Sequence, residues 1–189
     1  MYTRKKQGFL PALMERMYND RVKYKKLMIE EKKKGSNADP NKLSQYFNLQ
    51  LNLKIALNSA YGALGNQWFR YFDVRNAEAV SVAGQLSIRW AERAVNEYLN
   101  ELLETKEKDY VLASDTDSLY VTLDSLVEKV GLTDTKKIIN FMDKVCDGKI
   151  QDVIDKCYGE LAEYINAFEQ KMVMKREVLA DVGIWTGKK

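Results

Sequence analysis

Apolar side chains recur with helical spacing along three long stretches of the chain, at about residues 11–34, 40–61 and 76–104. In and just before the first stretch, positions three and four residues apart carry Leu10, Leu13, Met14, Met17 and Met28. In a helix this spacing places apolar side chains along one face, which packs against a neighbour. The pattern therefore predicts three long amphipathic helices.

The break between the first two predicted helices is short and carries its own signals. Gly35 opens it, and Asp39 precedes Pro40 where a helix N-cap and a first helical residue are expected. Because so few residues connect them, the two helices are expected to be antiparallel neighbours. Residues 11–61 are therefore predicted to form a helical hairpin.

The rest of the chain has shorter elements. Gly62 helps to end the second helix, and the aromatic stretch 67–72 is predicted to be strand-like or irregular. Two apolar runs flank the tetrapeptide 115–118, which predicts a β-hairpin with carboxylates at its turn. Residues 134–170 are predicted to form one or two helices and residues 171–182 a strand. The predicted fold is α+β: an antiparallel helical hairpin attached to a small antiparallel sheet packed with helices.

Composition narrows the possible chemistry. Of 189 residues 46% are apolar, enough to bury a core, but no apolar run reaches the roughly 18 residues of a membrane span. The chain contains no His, which excludes His-based acid–base catalysis and His-ligated zinc. The two cysteines lie in polar, helical surroundings, so a reduced cytoplasmic compartment is expected and a structural disulfide is not.

Positive charge is concentrated at the start of the chain. The net charge is only +3, yet residues 1–35 contain eleven Lys and Arg against four Asp and Glu, a local excess of +7. A basic arm on a near-neutral body is typical of proteins that bind a polyanion. A solvated helix face has the same composition, so charge alone leaves both interpretations open.

Asp115 and Asp117 form the first candidate site. Two carboxylates two residues apart at a hairpin tip repel each other, and a bound Mg²⁺ removes that repulsion because it prefers oxygen ligands. Polar turns are also rich in Asp, so the pair alone is compatible with an ordinary turn. The short apolar runs on both sides favour a carboxylate pair at the end of a buried hairpin.

A second candidate site lies on the helical hairpin. Lys54, Asn58 and Tyr61 share one face of the second helix, and Arg21 and Lys25 share one face of the first. If the turn is centred near residues 37–38, Arg21 lies opposite Lys54 and Lys25 lies about one turn nearer the tip. Cations that converge in this way suit a triphosphate. Surface lysines facing water remain the alternative.

These segments together resemble DNA polymerases of family B, most closely the replicative type of large tailed phages. Lys54-Ile-Ala-Leu-Asn58-Ser59-Ala-Tyr61-Gly62 matches the family's fingers signature Lys-x3-Asn-Ser-x-Tyr-Gly, and residues 63–70 continue the phage form. Residues 115–118 match the palm signature Asp-Thr-Asp-Ser. Residues 185–189, Trp-Thr-Gly-Lys-Lys, are similar to the start of a Lys-Lys-Arg-Tyr element that contacts primer–template DNA. The resemblance runs from about residue 16 onward.

The resemblance implies a role for each matching residue of the fingers, assigned here to residues 1–62. Lys54 and Asn58 would bind the phosphates of the incoming nucleotide, with Arg21 and Lys25 from the facing helix. Tyr61 would lie under the nascent base pair. The helical hairpin would rotate inward once the correct nucleotide binds.

Residues 63–189 would form a partial palm. Asp117 would ligate the catalytic Mg²⁺ ions with Asp115 supporting the site, and Glu177 resembles a further palm carboxylate near the metals. Lys188 and Lys189 would hold the primer–template backbone. The implied reaction is two-metal transfer of a nucleotide to a primer 3′-hydroxyl.

The sequence departs from the family pattern in ways that bear on activity. Ser114 stands where the family usually has Gly, and the palm motif that carries the second metal-binding Asp is absent from these residues. That motif and the exonuclease are expected upstream. We therefore expect little polymerase activity from the chain alone, and a partner polypeptide that supplies them in the cytoplasm of a phage-infected or prophage-carrying bacterium.

Two other functions fit part of the sequence. A non-catalytic polymerase remnant could bind nucleotide or DNA, and this chain alone does not separate it from a split polymerase subunit. A nucleotide-sugar transferase could use Asp-x-Asp with Mn²⁺, but no βαβ alternation precedes residue 109. That alternative also leaves the Lys54–Gly62 motif unexplained.

Overall fold

The structure is a computed structural model that describes residues 5–185. The chain divides into two compact units, Met1–Ser81 and Val82–Lys189, which we call the N-terminal and C-terminal units. The helices are α1 (Phe9–Lys33), α2 (Pro40–Leu64), α3 (Val74–Leu103), α4 (Asp124–Val130), α5 (Thr135–Lys144) and α6 (Gln151–Tyr164). The strands are β1 (Val111–Asp115) and β2 (Ser118–Val121). The fold is α+β, as predicted.

The predicted helical hairpin is present, and its turn forms through local signals. A single 3₁₀ turn, Gly35–Asn37, separates α1 from α2, and Gly35 adopts the left-handed φ of +57° that glycine tolerates best. Asp39 caps α2 as expected: its carboxylate accepts the backbone N–H of Asn41 at 2.9 Å. Pro40 then occupies the first helical position, where its missing N–H costs nothing.

Glu31 is the one buried side chain among the described residues of the N-terminal unit. Its carboxylate accepts a hydrogen bond from the Lys34 ammonium at 2.6 Å and another from the Asp39 backbone N–H at 2.9 Å. These two bonds lower the pKa of Glu31, the Asp39 N–H having the larger effect. Glu31, Lys34 and Asp39, the tip lock, therefore tie the end of α1 to the start of α2.

The aromatic stretch after α2 forms turns and no strand, so the irregular alternative is correct. Tyr71 lies at the centre of a small aromatic group, with ring centroids 4.9 Å from Phe9 and 5.7 Å from Phe69. Trp68 contributes little to this group because it is 86% exposed.

The C-terminal unit has an apolar core built by two helices and the start of β1. On α3 every fourth residue from Ser87 to Leu99 is buried, and these residues are Ser87, Ala91, Val95 and Leu99. The buried side chains of α6 are Ile154, Cys157, Tyr158 and Leu161. Both helices share a buried cluster with Tyr110 and Val111, so the core fixes the β-hairpin at its inner end.

The structure corrects the prediction for the last part of the chain. Residues 171–182 form no strand, and the predicted helical region 134–170 resolves into α5, a π-helical segment Val145–Ile150 and α6, which ends at Tyr164. The short helix α4 was not predicted. An alternating pattern makes a strand only where a neighbouring strand accepts its backbone hydrogen bonds, and among the described residues the sheet contains only β1 and β2.

Two further findings concern the cysteines and the length of apolar helices. Cys146 and Cys157 are both free, and burial raises the pKa of the Cys157 thiol to about 11. No helix in the described part of the chain is long and apolar enough to cross a membrane.

Candidate functional site

The acidic β-hairpin, residues 111–121, carries the two predicted carboxylates from the core to an exposed tip. Val111 is buried, whereas Asp115 and Asp117 are exposed. Asp115 pairs with Ser118 across the antiparallel ladder, which leaves Thr116 and Asp117 as the two-residue turn. The hairpin therefore presents both carboxylates together at its outer end.

Thr116 gives this turn an unusual backbone. Its φ is +56°, a left-handed value that is uncommon for a β-branched residue. The Asp117 N–H donates to the Asp115 carbonyl at 2.6 Å, closing a three-residue turn of the rarer, strained γ type. The Thr116 hydroxyl donates to the Asp115 carboxylate at 3.0 Å. Backbone strain of this kind costs free energy and persists only where the surrounding structure holds it in place. It is concentrated at functional sites.

The carboxylates of this tip fit a hard cation. Mg²⁺ is commonly held by one or two carboxylates and keeps several of its waters, so an exposed pair of Asp side chains suits it. The third predicted ligand, Glu177, is exposed in the irregular segment after α6. Within residues 5–185 no group of three or more His, Cys, Asp or Glu side chains is arranged to hold a metal. The assignment of Asp115, Asp117 and Glu177 to one metal site therefore stays a prediction.

The predicted nucleotide-binding face of α2 is exposed in the N-terminal unit. Lys54, Asn58 and Tyr61 are all exposed and lie four and three residues apart on one helix, which places them along one face. Tyr61 is fixed at its hydroxyl, which lies 2.6 Å from the Ser81 hydroxyl. Because the Ser81 hydroxyl can donate to the Ala77 carbonyl at 3.3 Å, Tyr61 is the natural donor of this pair.

Arg21 and Lys25 lie on α1, and the geometry of the hairpin bears on their predicted register. A groove of about 440 Å³ is lined by Met28 and Lys32 of α1 and by Pro40, Leu43, Ser44 and Phe47 of α2. Met28 and Phe47 are equally far in sequence from a point between residues 37 and 38, as are Lys32 and Leu43. The groove shows that α1 and α2 face each other in this part of the hairpin, and the predicted pairing of Arg21 with Lys54 stays a prediction.

Arg21 also has an unsatisfied donor. Its Nε is buried and has no hydrogen-bond partner in the described part of the chain. A buried donor without a partner is costly, so such a group calls for an explanation. Lys25 is exposed.

The predicted DNA-binding residues Lys188 and Lys189 lie outside the described residues. The first residue of their motif does have a position: the ring of Trp185 meets that of Tyr120 of β2 edge-on, with centroids 5.4 Å apart. The end of the described chain therefore lies against the acidic β-hairpin, within the same unit.

Sequence reasoning missed three features near these sites. They are the burial of Glu31, the left-handed Thr116, and two ion pairs that Arg176 makes with Asp143 and Asp147. The only sequence signal for the burial of Glu31 was the acidic pair Glu30-Glu31, which stands directly before three lysines at residues 32–34. The other two have no local sequence signal.

Comparison with known proteins decides the family. A family model described as DNA polymerase family B matches residues 1–158. The chain belongs to DNA polymerase family B. It is 44% identical over 151 residues to a DNA-directed DNA polymerase of Escherichia phage RB69, and 46% identical over 134 residues to one of Enterobacteria phage T4.

The match to these family B relatives covers much of this chain and little of theirs. The alignments take in 74% and 69% of the chain but only 17% and 15% of the two phage polymerases. A DNA polymerase of Pyrococcus glycovorans is 32% identical over 116 residues, which are 61% of the chain and 13% of that protein. The chain thus spans a small part of the relatives that it matches.

Proposed function

We propose that this chain contributes the fingers and the Asp-Thr-Asp-Ser part of the palm to a DNA-directed DNA polymerase. The observation that carries the proposal is the acidic β-hairpin, with two carboxylates at an exposed and strained tip, in a chain of family B. The reaction is template-directed transfer of a nucleotide to a primer 3′-hydroxyl. The phage relatives carry the name DNA-directed DNA polymerase, which supports the same assignment.

The N-terminal unit binds the incoming nucleotide in this proposal. Lys54 and Asn58 offer a charged and a neutral donor on one exposed face, suited to phosphate oxygens. Arg21 on the partner helix is a further charged donor, although its Nε is buried without a hydrogen-bond partner among the described residues. Tyr61, held through Ser81, offers a fixed ring against which a base pair can rest.

The C-terminal unit holds the metal in this proposal. Asp115 and Asp117 provide the carboxylate oxygens, and the turn at Thr116 keeps both at the tip before metal binds, which reduces the reorganisation needed. The chemistry that Mg²⁺ supplies when bound is activation of the primer 3′-hydroxyl and neutralisation of the leaving pyrophosphate. Lys188 and Lys189 hold the backbone of the primer–template through charge.

A complete site needs one more contribution. Two metals are held by carboxylates from both palm motifs, and these 189 residues contain only the Asp-Thr-Asp-Ser motif. We therefore expect primer extension only when a polypeptide carrying the other palm Asp is present, whether separate from this chain or continuous with it. The proposed place of action is the cytoplasm of a phage-infected or prophage-carrying bacterium.

Primer extension tests the proposal. The chain is assayed with primer–template, Mg²⁺ and all four dNTPs, first alone and then with a polypeptide that supplies the other palm motif. Extension is expected only in the mixture. Asp117→Ala should reduce it by at least about 10³-fold, since a metal contributes several kcal/mol to the transition state.

The matched control is Asp152→Ala, which removes an exposed carboxylate of α6 in the same unit and should leave extension unchanged. Robust extension by the unmixed chain would refute the need for a second polypeptide. Association without extension would identify a non-catalytic remnant that binds nucleotide or DNA.

A further inference from the structure

The tip of the helical hairpin carries a groove that none of the predicted nucleotide-binding residues lines. Its volume is about 440 Å³, and we call it the tip groove; its lining residues are Met28, Lys32, Pro40, Leu43, Ser44 and Phe47. With a rise of about 1.5 Å per residue, Phe47 lies about 10 Å along α2 from Lys54 and about 21 Å from Tyr61. The tip groove is therefore separate from the predicted nucleotide-binding face.

The walls of the tip groove are largely apolar and open. Phe47 is 48% exposed, and Met28 and Leu43 are only partly buried. Among the described residues of the N-terminal unit no apolar side chain is buried, so no internal core closes the groove. An aromatic side chain in this position contributes binding energy when a partner removes it from water.

The tip lock fixes the end of the groove that lies near the turn. Glu31 is followed by Lys32, and Asp39 is followed by Pro40, so one lining residue of each helix adjoins the contact that ties α1 to α2. Because these helix ends are already fixed, a ligand does not have to order them. This lowers the free-energy cost of binding.

The charge around the tip groove favours an acidic partner. Residues 23–47 contain seven Lys and three acidic residues, and one of the three, Glu31, is paired with Lys34. The sequence of α2 contains no Asp or Glu. Lys32 lines the groove and has no ion-pair partner in the described part of the chain. A ligand with carboxylates beside its apolar groups therefore matches both the groove and its rim.

A protein segment fits the tip groove better than a nucleic acid does. Grooves that bind single strands combine positive charge with several aromatic side chains on which successive bases stack. The tip groove offers one aromatic ring, Phe47, and its other large apolar side chains include the aliphatic Met28 and Leu43. A groove of this kind takes the apolar face of an amphipathic helix, with contacts at positions i, i+3, i+4 and i+7. Met28 adds a flexible contact that adapts to its ligand.

We propose that the tip groove is a docking site for an acidic amphipathic helix of a partner protein. Phe47 is its main apolar contact, and Lys32 pairs with a carboxylate of the partner. The inference goes beyond the proposed function and does not depend on it, because it uses neither the acidic β-hairpin nor the predicted nucleotide-binding face.

Fluorescence anisotropy on the full chain tests the docking site. The probes are three labelled peptides of about 15 residues, with Glu on one helical face and with Leu, Met or Phe alone as apolar anchors on the other. One control peptide has the same composition in scrambled order, and another has Lys in place of Glu. A single-stranded oligonucleotide of about 15 nucleotides represents the nucleic-acid alternative.

At least one of the acidic amphipathic peptides should bind, and both control peptides should bind at least about 10-fold more weakly. Phe47→Ala should weaken binding by at least about 10-fold, since an aromatic anchor is lost. Ile55→Ala is the matched control: it removes a similarly exposed apolar side chain of α2 outside the groove and should leave binding unchanged. Lys32→Gln should weaken binding about 2- to 5-fold, the range of an exposed ion pair, and Lys26→Gln should not.

Two measurements locate the bound peptide. The peptide should shift the NMR amide signals of residues 28–47 and leave those of α6 unchanged. Saturating dATP with Mg²⁺ should not displace it, because the predicted nucleotide-binding face lies further along α2. This result is expected whether or not the chain binds a nucleotide, so the docking site and the proposed function can fail independently. Circular dichroism shows whether each variant keeps its helices.

Several results would overturn the proposal. Failure of all three acidic peptides to bind, or equal binding of the scrambled peptide, would show that the groove does not recognise an amphipathic helix. Equal losses of affinity in Phe47→Ala and Ile55→Ala would place the contact outside the groove, and displacement by dATP would place it on the predicted nucleotide-binding face. Oligonucleotide binding that Phe47→Ala weakens by about 10-fold would assign the groove to nucleic acid instead.

Discussion

The two units of the chain differ in what they bury. The described part of the N-terminal unit buries only Glu31, and large apolar side chains such as Phe47 and Ile55 are 48% and 54% exposed. The C-terminal unit buries a continuous apolar cluster that includes Leu99 and Tyr110 at 0% and 1% exposure. One unit is thus a helix pair closed by polar contacts at its tip, and the other is a packed domain.

This difference matches the work proposed for each unit. An element with few buried apolar contacts opens and moves at low cost, as a fingers hairpin that closes on a nucleotide must. A packed core holds its surface features rigidly, as a metal site at a strained turn requires. In the same proposal, exposed apolar side chains of α2 such as Ile55 would contact other parts of the polymerase.

The largest expected effect separates the two units by stability. Leu99→Ala should lower the free energy of unfolding by about 2–5 kcal/mol, because it leaves a cavity in a closed core. Ile55→Ala in α2 should change it by no more than about 0.5 kcal/mol, since that side chain is already half exposed. Urea unfolding followed by circular dichroism measures both.

Leu102→Ala is the matched control for Leu99, three residues along the same helix but 39% exposed. Leu102→Ala should lower the free energy of unfolding clearly less than Leu99→Ala does. Equal losses of stability in Ile55→Ala and Leu99→Ala would show that the helical hairpin is covered by apolar contacts in solution. The contrast drawn between the two units would then be wrong.

The next effect concerns ligand binding by the exposed face of the N-terminal unit. Lys54→Gln should raise the KM for dNTP by about 10- to 100-fold, because a hydrogen bond to a charged group contributes about 1.5–3 kcal/mol. Steady-state primer extension in the active mixture measures this change. Lys42→Gln, at another exposed lysine of α2, should leave KM unchanged. The same rise in both variants would indicate a general charge effect and no site at Lys54.

A smaller effect tests the strain in the C-terminal unit. Thr116→Gly should stabilise the unit by about 0.5 kcal/mol, because glycine adopts a φ of +56° without the penalty of a β-branched side chain. Gly131→Ala, at a φ of +71°, should have the opposite sign and cost about 1 kcal/mol. Urea midpoints give both values. Destabilisation by Thr116→Gly would mean that the hydroxyl bond to Asp115 outweighs the strain.

The smallest effect is a pH dependence confined to the tip lock. The pKa of Glu31 is lowered in the folded chain, so its bonds to Asp39 and Lys34 stabilise the turn above pH about 4.5 and are lost as pH falls through the lower folded value. Glu31→Gln should remove this dependence and lower the Tm by a few degrees at neutral pH.

The amide of Asp39 is the local probe for the tip lock. Its hydrogen exchange, corrected for the intrinsic pH dependence, should accelerate below pH about 4.5 in the original chain and show no such step in Glu31→Gln. A step that persists in the variant would assign the dependence to another carboxylate, such as the capping Asp39.

Much of the fold could be predicted because its signals are local. The start of α2 follows from a capping carboxylate and a proline side by side at Asp39 and Pro40, and the β-hairpin follows from two apolar runs around a polar turn. The family is likewise evident from the residue types and the spacing of two motifs, Lys54–Gly62 and Asp115–Ser118, which are local features of the sequence.

The prediction of a strand at residues 171–182 was wrong, and the reason cannot be found in any local sequence pattern. A strand needs a partner, and in the described residues the sheet ends at β1 and β2. The segment is held instead by Arg176, which pairs with Asp147 from 29 residues away. Pairing at that distance depends on how helices pack.

The sequence by itself determined the helices, the acidic turn and the family, because caps, periodicity and motifs act between near neighbours. Only the tertiary structure decided that Glu31 is buried, that Thr116 is left-handed and that Arg176 anchors the segment beside Glu177. Each of these depends on groups that folding brings together, so its energy is defined only in the packed chain.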